Sequence, residues 1–388
     1  MRILVVNAGS SSLKLRVLGD SDQVAETADL PAPRGAADTA AIEATLASFG
    51  SMQAVGYRIV HGGTSFTAPV LIDQDVRERL EALTDLAPLH QPKSLAALDA
   101  VRSVLPGLPG VACFDTAFHA TIPPAAATYA LPREWRTRWP LRRYGFHGLS
   151  HAYCSRRAAE LAGRELAGLR IITCHLGGGA SLAAIRGGVS VDTTMGFTPL
   201  EGLVMATRSG TVDPALVLWL EEHVGTPAGE LAATLEHRSG LLGLAGTADM
   251  RLVTQRAGAG QEDARLALDV YTHRLRAGIA AMAAAAAGLD VLAFTGGVGE
   301  NSPQVREQAA AGLGFLGVQL APARNTGPRG NTAPPGNTAG PPGRQAGRDG
   351  SPGAGDWEIG QPGAPVRTFV IAAREDIEIA AQVRAVLA

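Results

Sequence analysis

Glycine, histidine and arginine recur in this chain in short polar runs set between apolar ones, a combination suited to holding a phosphorylated ligand. Arg170 to Gly188 reads as an apolar strand, a glycine turn and a second strand. Gly177, Gly178 and Gly179 admit positive φ and carry no Cβ, so successive amide N–H groups can turn toward one anion. Alone, such a turn is equally a plain β-hairpin. Ile3 to Val17 repeats the plan: a strand, a small-residue turn, and a strand in which Leu13, Leu15 and Val17 alternate with Lys14 and Arg16. A hairpin cradle that occurs twice predicts a duplicated nucleotide-binding domain.

The charged candidates are few. Arg58 lies in an apolar run, Ala54 to Gly63, that ends in a glycine turn bearing His61. It is either solvated at a sheet edge or buried. Val55, Ile59 and Val60 favour burial, and a buried guanidinium requires an anionic partner, side chain or ligand. Asp115 closes the short apolar strand from Val111, at the end where parallel α/β sheets place ligand-binding groups. His147 follows Arg142 and Arg143 and reads as part of an anion-binding region. His147 and His151 are four apart, but Gly148 interrupts a helix between them and no H-E-x-x-H accompanies them, so zinc is not expected. His90, between Pro88 and Pro92, is either satisfied by backbone groups or functional. Val191 to Gly202, Ala206 to Pro214 (with Arg208) and Gly246 to Arg251 are polar loops. The strand Val291 to Thr295 feeds a glycine loop, Gly296 to Pro303, that can lay backbone against a nucleotide although its spacing is not G-x-G-x-x-G.

To position these groups the sequence offers helices at Thr39 to Phe49, Asp75 to Leu86, a helix capped by Ser94, another capped by Ser150 and running His151 to Ala162, Pro214 to His223, Ala228 to Glu236, and Glu262 to Gly288. The 388 residues suffice for two domains, and 34 basic against 36 acidic residues with 46% hydrophobic content describe a globular chain with no electrostatic case for nucleic acid or an anionic membrane. Cys113, Cys154 and Cys174 are odd in number and sit in apolar company, so they read as packing residues in a reducing cytoplasm. No run is apolar and long enough for export or a membrane span. Residues 321–365 are crowded with Pro, Gly, Asn and Arg and predict a flexible surface loop, after which the strand Val366 to Ala372 and a final helix return to complete the first sheet.

Taken together the motifs resemble the acetate kinase family, in the superfamily that includes actin, Hsp70 and sugar kinases. They are N-A-G-S-S-S-L-K at Asn7–Lys14, R-I-V-H-G-G at Arg58–Gly63, A-P-L-H at Ala87–His90, F-D-T-A-F-H at Phe114–His119, R-R-Y-G-F-H-G at Arg142–Gly148, H-L-G-x-G at His175–Gly179, V-D-T-x-M-G-F-T-P-L-E-G at Val191–Gly202, T-R-S-G at Thr207–Gly210 and G-x-G-E-N at Gly297–Asn301. The resemblance implies an α/β fold of two duplicated actin-like ATPase (ribonuclease H-like) domains around an active-site cleft: 1–149 with 366–388, then 150–320, then the 321–365 insert. It implies a cytoplasmic homodimer that transfers the ATP γ-phosphoryl reversibly to acetate or another short carboxylate, with Mg2+ or Mn2+. Asp115, His147 and Arg208 would be catalytic, and Arg58 would help hold the substrate. Val60, Leu89, Phe146 and Pro199 would line the methyl pocket. Lys14, His175, Leu176, Gly177, Gly178, Gly179, Asp249, Met250, Arg251, Gly297, Val298, Gly299, Glu300 and Asn301 would line the nucleotide site, and Asn7 and Glu375 the metal side.

Some positions depart from the family pattern. Gly178 stands where Asn is usual, Thr211 where Asp is common, and Ala373 and Arg374 precede Glu375 in place of Thr and Asn or Asp. A propionate or butyrate kinase on the same scaffold is a close alternative, because one methylene in an apolar pocket changes binding by only about 1–3 kcal/mol. A non-catalytic ATP-dependent switch is a remote one, for which no appended recognition module is visible.

Overall fold

Each half of the molecule opens on an antiparallel hairpin whose first strand then recruits parallel partners. The computed structural model describes residues 1–9, 12–31, 38–88, 90–327 and 355–388. In the first half, β1 (Ile3–Ala8), β2 (Ser12–Leu18) and β3 (Val24–Pro31) form a meander, and β1 pairs in parallel with β4 (Ala54–Ile59), which pairs in parallel with β6 (Gly110–Phe114). The two-residue β5 (Val70–Leu71) lies antiparallel on β6, giving the order β3-β2-β1-β4-β6-β5. The second half repeats this wiring with β7 (Arg170–Leu176), β8 (Ala180–Arg186), β9 (Val189–Thr193), β10 (Val291–Thr295), β11 (Trp357–Glu358) and β12 (Arg367–Val370), in the order β11-β12-β10-β7-β8-β9. The duplication expected from the two hairpins therefore extends through every strand.

The side-chain pattern explains which strands lie where. All five residues of β10 and of β6 are buried, as central parallel strands covered on both faces must be. β3 alternates half-buried and exposed positions, as an outer strand with one wet face does. One apolar cluster lies beneath the first sheet, including Leu4, Leu13, Leu15, Tyr57 and Phe114. A second joins Leu182 and Phe294 to Leu275 and Ile279 of the helix Glu262–Ala285. The third is shared: Val5, Val111 and Cys113 from the first sheet meet Ile171, Ala293 and Phe369 from the second, with the helices Gly148–Ala162 and Glu375–Leu387 between them. This shared core fixes the ends of the two sheets relative to each other.

Several expectations are corrected. The C-terminal strand does not complete the first sheet; β12 pairs in parallel with β10, as the second repeat's counterpart of β6, and only the helix Glu375–Leu387 crosses to pack on β1, β4 and β6. The 321–365 segment is not a loose loop at its ends. Pro322–Asn325 is helical, β11 pairs with β12, and the buried Arg306 guanidinium donates to Asn325 Oδ1 at 2.9 Å and to the Asn325 carbonyl. Its remaining part, 328–354, is outside the described residues. Ser94 and Ser150 cap nothing: their helices begin earlier, as Gln91–Val104 and Gly148–Ala162, and both serines are buried inside them. Gly296–Asn301 is a helical turn rather than a loop. The three cysteines are buried free thiols. Among the described residues no helix is long and apolar enough to cross a membrane.

Candidate active site

The polar candidates collect at the carboxyl ends of parallel strands in both sheets, where backbone ends free of a crossing strand leave room for a ligand. Asn7 is near the end of β1, Arg58 near the end of β4 and Asp115 just past β6; His175 is near the end of β7, Gly296 just past β10 and Glu375 beyond β12.

The first-sheet groups form one network. Arg58 donates from Nε and Nη2 to the two oxygens of Asp115 at 3.1 and 2.6 Å, and from Nη1 to Asn7 Oδ1 at 3.0 Å. Asn7 Nδ2 in turn donates to Glu375 Oε2 at 3.1 Å, and that oxygen lies 3.7 Å from Arg58. The buried reading of Arg58 therefore holds, with a side chain as its anion. Burial alone would lower the Arg58 pKa, but the Asp115 and Glu375 carboxylates raise it. Burial pushes the Asp115 carboxyl up, and Arg58 opposes that rise. For Glu375 burial also pushes upward, but Arg58, His175 and Lys14 outweigh it and hold the carboxyl below its usual range. Lys14 sits opposite Asn7 in the β1–β2 register, with its side chain exposed.

On the second sheet the triple glycine joins β7 to β8, with Gly177 N–H donating to the Gly179 carbonyl at 2.9 Å. A Cβ on Gly179 would lie 3.3 Å from His147 Nε2 and 3.3 Å from Arg208 Nη1, so these two side chains converge on the turn. His147 is held there in the left-handed region (φ 57°), a conformation costly for a residue with a Cβ. The following residue, Gly148, donates its N–H to the Asp115 carbonyl at 2.8 Å and passes so close to it that any side chain there would collide. The His147 ring stacks on His175 at 4.3 Å, and His175 Nδ1 is 2.8 Å from Ser150 Oγ. Burial, then the charges of His175, Arg58 and Arg208 among its neighbours, lowers His147 well below the ordinary imidazole range; burial lowers His175 as well.

Arg208 is differently placed from Arg58. Its Nη1 donates to the Pro199 carbonyl at 3.1 Å and approaches Met205 Sδ at 3.4 Å, while its nearest carboxylate, Glu236, is 3.9 Å away. Burial lowers its pKa, with Glu236 only partly opposing. A largely buried guanidinium (side chain 19% exposed) with no close carboxylate has hydrogen-bonding capacity left for an anion beside Gly179. His90 also faces this field: burial first, then Arg208, Lys93 and Arg58, bring it down to about 4.

Val60 and Phe146 are buried in the cluster that contains Met195, Leu203 and Met205, and Arg208 Nη1 links the Pro199 carbonyl to Met205 Sδ of that cluster. Leu89 is outside the described residues. Farther along the second half, Asp249 caps the helix Met250–Gly258 through the Arg251 N–H at 2.9 Å, pairs with the exposed Arg251 side chain, and precedes the buried Met250. Gly297 has open space around it, Val298 packs on the core, and Asn301 Nδ2 donates to the Gly297 carbonyl at 2.9 Å. Arg306 Nη1 holds the Gly299 and Glu300 carbonyls at 2.8 and 3.0 Å, and Glu300 Oε1 accepts the Ala373 N–H at 2.9 Å, which ties this turn to the residue two before Glu375. Leu176 is buried at the end of β7, and Gly178 has nothing within 4 Å of an added Cβ.

The two arginines that precede His147 have contacts of their own. Arg143 serves the carbonyls of Thr193, Thr194 and Met195 and pairs with Glu201 at 2.7 Å. Arg142 donates to the Arg143 carbonyl and lies over Tyr144. Ser181 escaped notice; it stands 3.0 Å from His147 Nδ1 and 2.8 Å from His151 Nε2. It lies in β8, whose residues 180–185 are all buried on both faces, so no alternation marks it out. Both Asp115 oxygens are engaged by Arg58, and the lowered pKa of His147 and His175 makes each imidazole a weaker base than usual.

The acetokinase family profile matches residues 34–334. The chain is 44% identical to an acetate kinase of Leifsonia xyli subsp. xyli over 98% of this chain and 97% of that one. It is 50% identical to an acetate kinase of Pseudothermotoga lettingae over 69% of this chain and 67% of that one. Its fold superposes on the crystal structure of Porphyromonas gingivalis acetate kinase with a TM-score of 0.85 at 35% identity over 100% of both chains. It also superposes on a propionate kinase from Francisella tularensis with a TM-score of 0.82 at 32% identity over 98% of both. With duplicated sheets of one wiring and a converging arginine, histidine and glycine turn already in place, these similarities settle the lineage: the chain belongs to the acetokinase family of kinases.

Proposed function

We propose that this chain transfers the γ-phosphoryl group of ATP directly, in line, to acetate, giving acetyl phosphate and ADP, and that the reverse reaction uses the same site. The observation that carries the reading is Arg208, a buried cation without a close carboxylate, converging with His147 on Gly179. A phosphoryl group in flight spreads negative charge over its equatorial oxygens, so catalysis is chiefly alignment and positive charge. Arg208 would take these oxygens, the neutral His147 would donate a hydrogen bond from Nε2, and the Gly177–Gly179 amides would face the nucleotide phosphates. Arg58 would present its remaining N–H groups to the acceptor carboxylate, oriented by Asp115, which thereby acts through Arg58 rather than as a base. No base is required, because the acid is already ionised at neutral pH. Val60, Phe146, Pro199 and Leu89 would enclose the methyl group. Lys14, His175, Leu176, Asp249, Met250, Arg251 and the turn Gly297–Asn301 (Gly297, Val298, Gly299, Glu300 and Asn301) would line the ADP moiety.

One carboxylate oxygen beside the first-sheet network suits magnesium, that of Glu375 at the start of the helix Glu375–Leu387. Glu375 is held ionised, and its Oε1 makes no hydrogen bond among the described residues, whereas both ends of the Asn7 amide are taken by Arg58 and Glu375. Glu375 would therefore hold the ion together with nucleotide phosphates and water, and Asn7 would orient that carboxylate. An ion held there would supply positive charge to offset that of the nucleotide phosphates.

The similarity to a propionate kinase favours a second reading, in which the same pocket accepts a longer acid. A panel of acetate, propionate and butyrate with MgATP, with acyl phosphate trapped as hydroxamate, separates the two. The proposal expects the highest kcat/KM for acetate; a maximum at propionate or butyrate selects the second reading, and no acyl phosphate from any acid refutes both.

A further inference from the structure

A buried file of side chains runs from the interior to the glycine turn through His147. Thr173 Oγ1 is 2.7 Å from His151 Nδ1, His151 Nε2 is 2.8 Å from Ser181 Oγ, and Ser181 Oγ is 3.0 Å from His147 Nδ1. Thr173, His151 and Ser181 are each wholly buried, so no solvent completes their bonding. A hydroxyl has one hydrogen to give. With both rings neutral, Ser181 donates to one imidazole nitrogen and accepts from the other; accepting from both would leave its own O–H buried and unpaired, at a cost of about 1–3 kcal/mol. The file can run in two directions, and they are not equally satisfied. In one, Thr173 donates to His151 Nδ1, His151 Nε2–H donates to Ser181, Ser181 donates to His147 Nδ1, and His147 carries its proton on Nε2, facing Gly179. In the other every bond reverses, the buried Thr173 hydroxyl accepts from His151 and has no acceptor for its own hydrogen among the described residues, and His147 presents a bare lone pair toward Gly179.

We propose that Thr173, His151 and Ser181 are positioning residues that set the tautomer of His147, running in the direction that leaves Nε2–H available to an anion beside Gly179. The inference rests on the phosphoryl-transfer reading, since only an anionic group there requires a donor. It goes further by placing the origin of that donor at a threonine on the central strand β7, two positions before His175 and remote from the ligand. Thr173 can be silenced without changing shape, because valine keeps its volume and branching and removes only the hydroxyl.

The test reads the ring nitrogens themselves. In 15N-histidine-labelled protein with MgADP, acetate and nitrate as a planar phosphoryl mimic, two-bond 1H–15N correlations distinguish protonated from bare nitrogens. The His147→Gln protein assigns the His147 signals. The wild type is expected to show His147 protonated at Nε2 and bare at Nδ1. Thr173→Val is expected to give a mixture of tautomers and to lower kcat by roughly 10- to 100-fold with little change in either KM, as loss of a supporting partner does. Thr173→Ser is expected to restore both readouts. The proposal is overturned if His147 in the wild type carries its proton on Nδ1, or if Thr173→Val leaves the tautomer and kcat unchanged. Should Thr173→Val fail to fold, the wild-type assignment alone decides. Failure of the functional reading is separate: it is the absence of acyl phosphate from the wild type, whereas failure of the relay leaves that product intact.

Discussion

Replacing Arg208 with alanine removes a cation whose protein contacts are few, and this separates its catalytic cost from its structural one. The lost contacts are the hydrogen bond to the Pro199 carbonyl at 3.1 Å, the approach to Met205 Sδ at 3.4 Å and a long ion pair to Glu236 at 3.9 Å. One net hydrogen bond and one weak pair cost about 1–2 kcal/mol of stability, small beside a typical total of roughly 5–15 kcal/mol, so the variant remains folded. The rate loss is larger. An arginine on the transferring phosphoryl contributes about 10³- to 10⁵-fold, equivalent to roughly 4–7 kcal/mol of transition-state stabilisation. Hydroxamate trapping should therefore show kcat for Arg208→Ala reduced by at least about 10³-fold while urea unfolding shifts modestly. Arg208→Lys, which keeps the charge but not the planar fork, should fall between the two. A folded Arg208→Ala protein retaining more than about a tenth of the wild-type rate would refute the reasoning, because no group at bonding distance from that phosphoryl is dispensable to that degree.

Two further outcomes follow from the same geometry. Gly178→Asn meets no atom within 4 Å at Cβ and should add a side-chain donor to the nucleotide cradle, lowering KM for ATP about fivefold, equivalent to ~1 kcal/mol; an unchanged or raised KM shows that the amide does not reach the phosphates. Acid should destabilise the fold through its buried histidines. Burial lowers His61 and His119 from 6.5 to about 4, and His90 is brought to about 4 by burial and neighbouring cations. Between those values the unfolded chain binds protons that the folded chain refuses, so the stabilisation is complete above pH 6.5 and is lost as pH falls toward 4. Each such histidine contributes a slope of up to about 1.4 kcal/mol per pH unit, which urea midpoints at pH 7 and pH 5 would detect; equal midpoints contradict it.

What the sequence disclosed was what short-range pattern can encode. Leu13, Leu15 and Val17 alternate with Lys14 and Arg16 because one face of β2 is buried, and that period survives in the sequence. Arg58 declared its burial through apolar neighbours, though not that its anion would be Asp115, which is 57 residues away. Parallel pairing leaves no such local trace. Nothing near Arg367–Val370 specifies β10 rather than β6 as its partner; the choice follows from the repeat wiring and the shared core. Gly296–Asn301 looked like a loop because glycine disfavours helix, yet Arg306 binds the Gly299 and Glu300 carbonyls at the end of that turn. Ser150 has the chemistry of a helix cap, but the chain enters that helix through His147 in the left-handed region, which frees Ser150 to reach His175. Ser181 was illegible because its meaning depends on the helix Gly148–Ala162 packing against β7 and bringing two imidazoles to one hydroxyl.

The central claim is that Arg208 and His147 close on one phosphorus beside the glycine turn. Its most direct test is a structure of the protein with MgADP, acetate and aluminium fluoride. The account predicts the planar fluoride group between ADP and acetate, with Arg208 and His147 Nε2 at about 2.7–3.2 Å from its fluorines, as hydrogen-bonded groups are. A fluoride group bound elsewhere, or one that neither side chain touches, would contradict it.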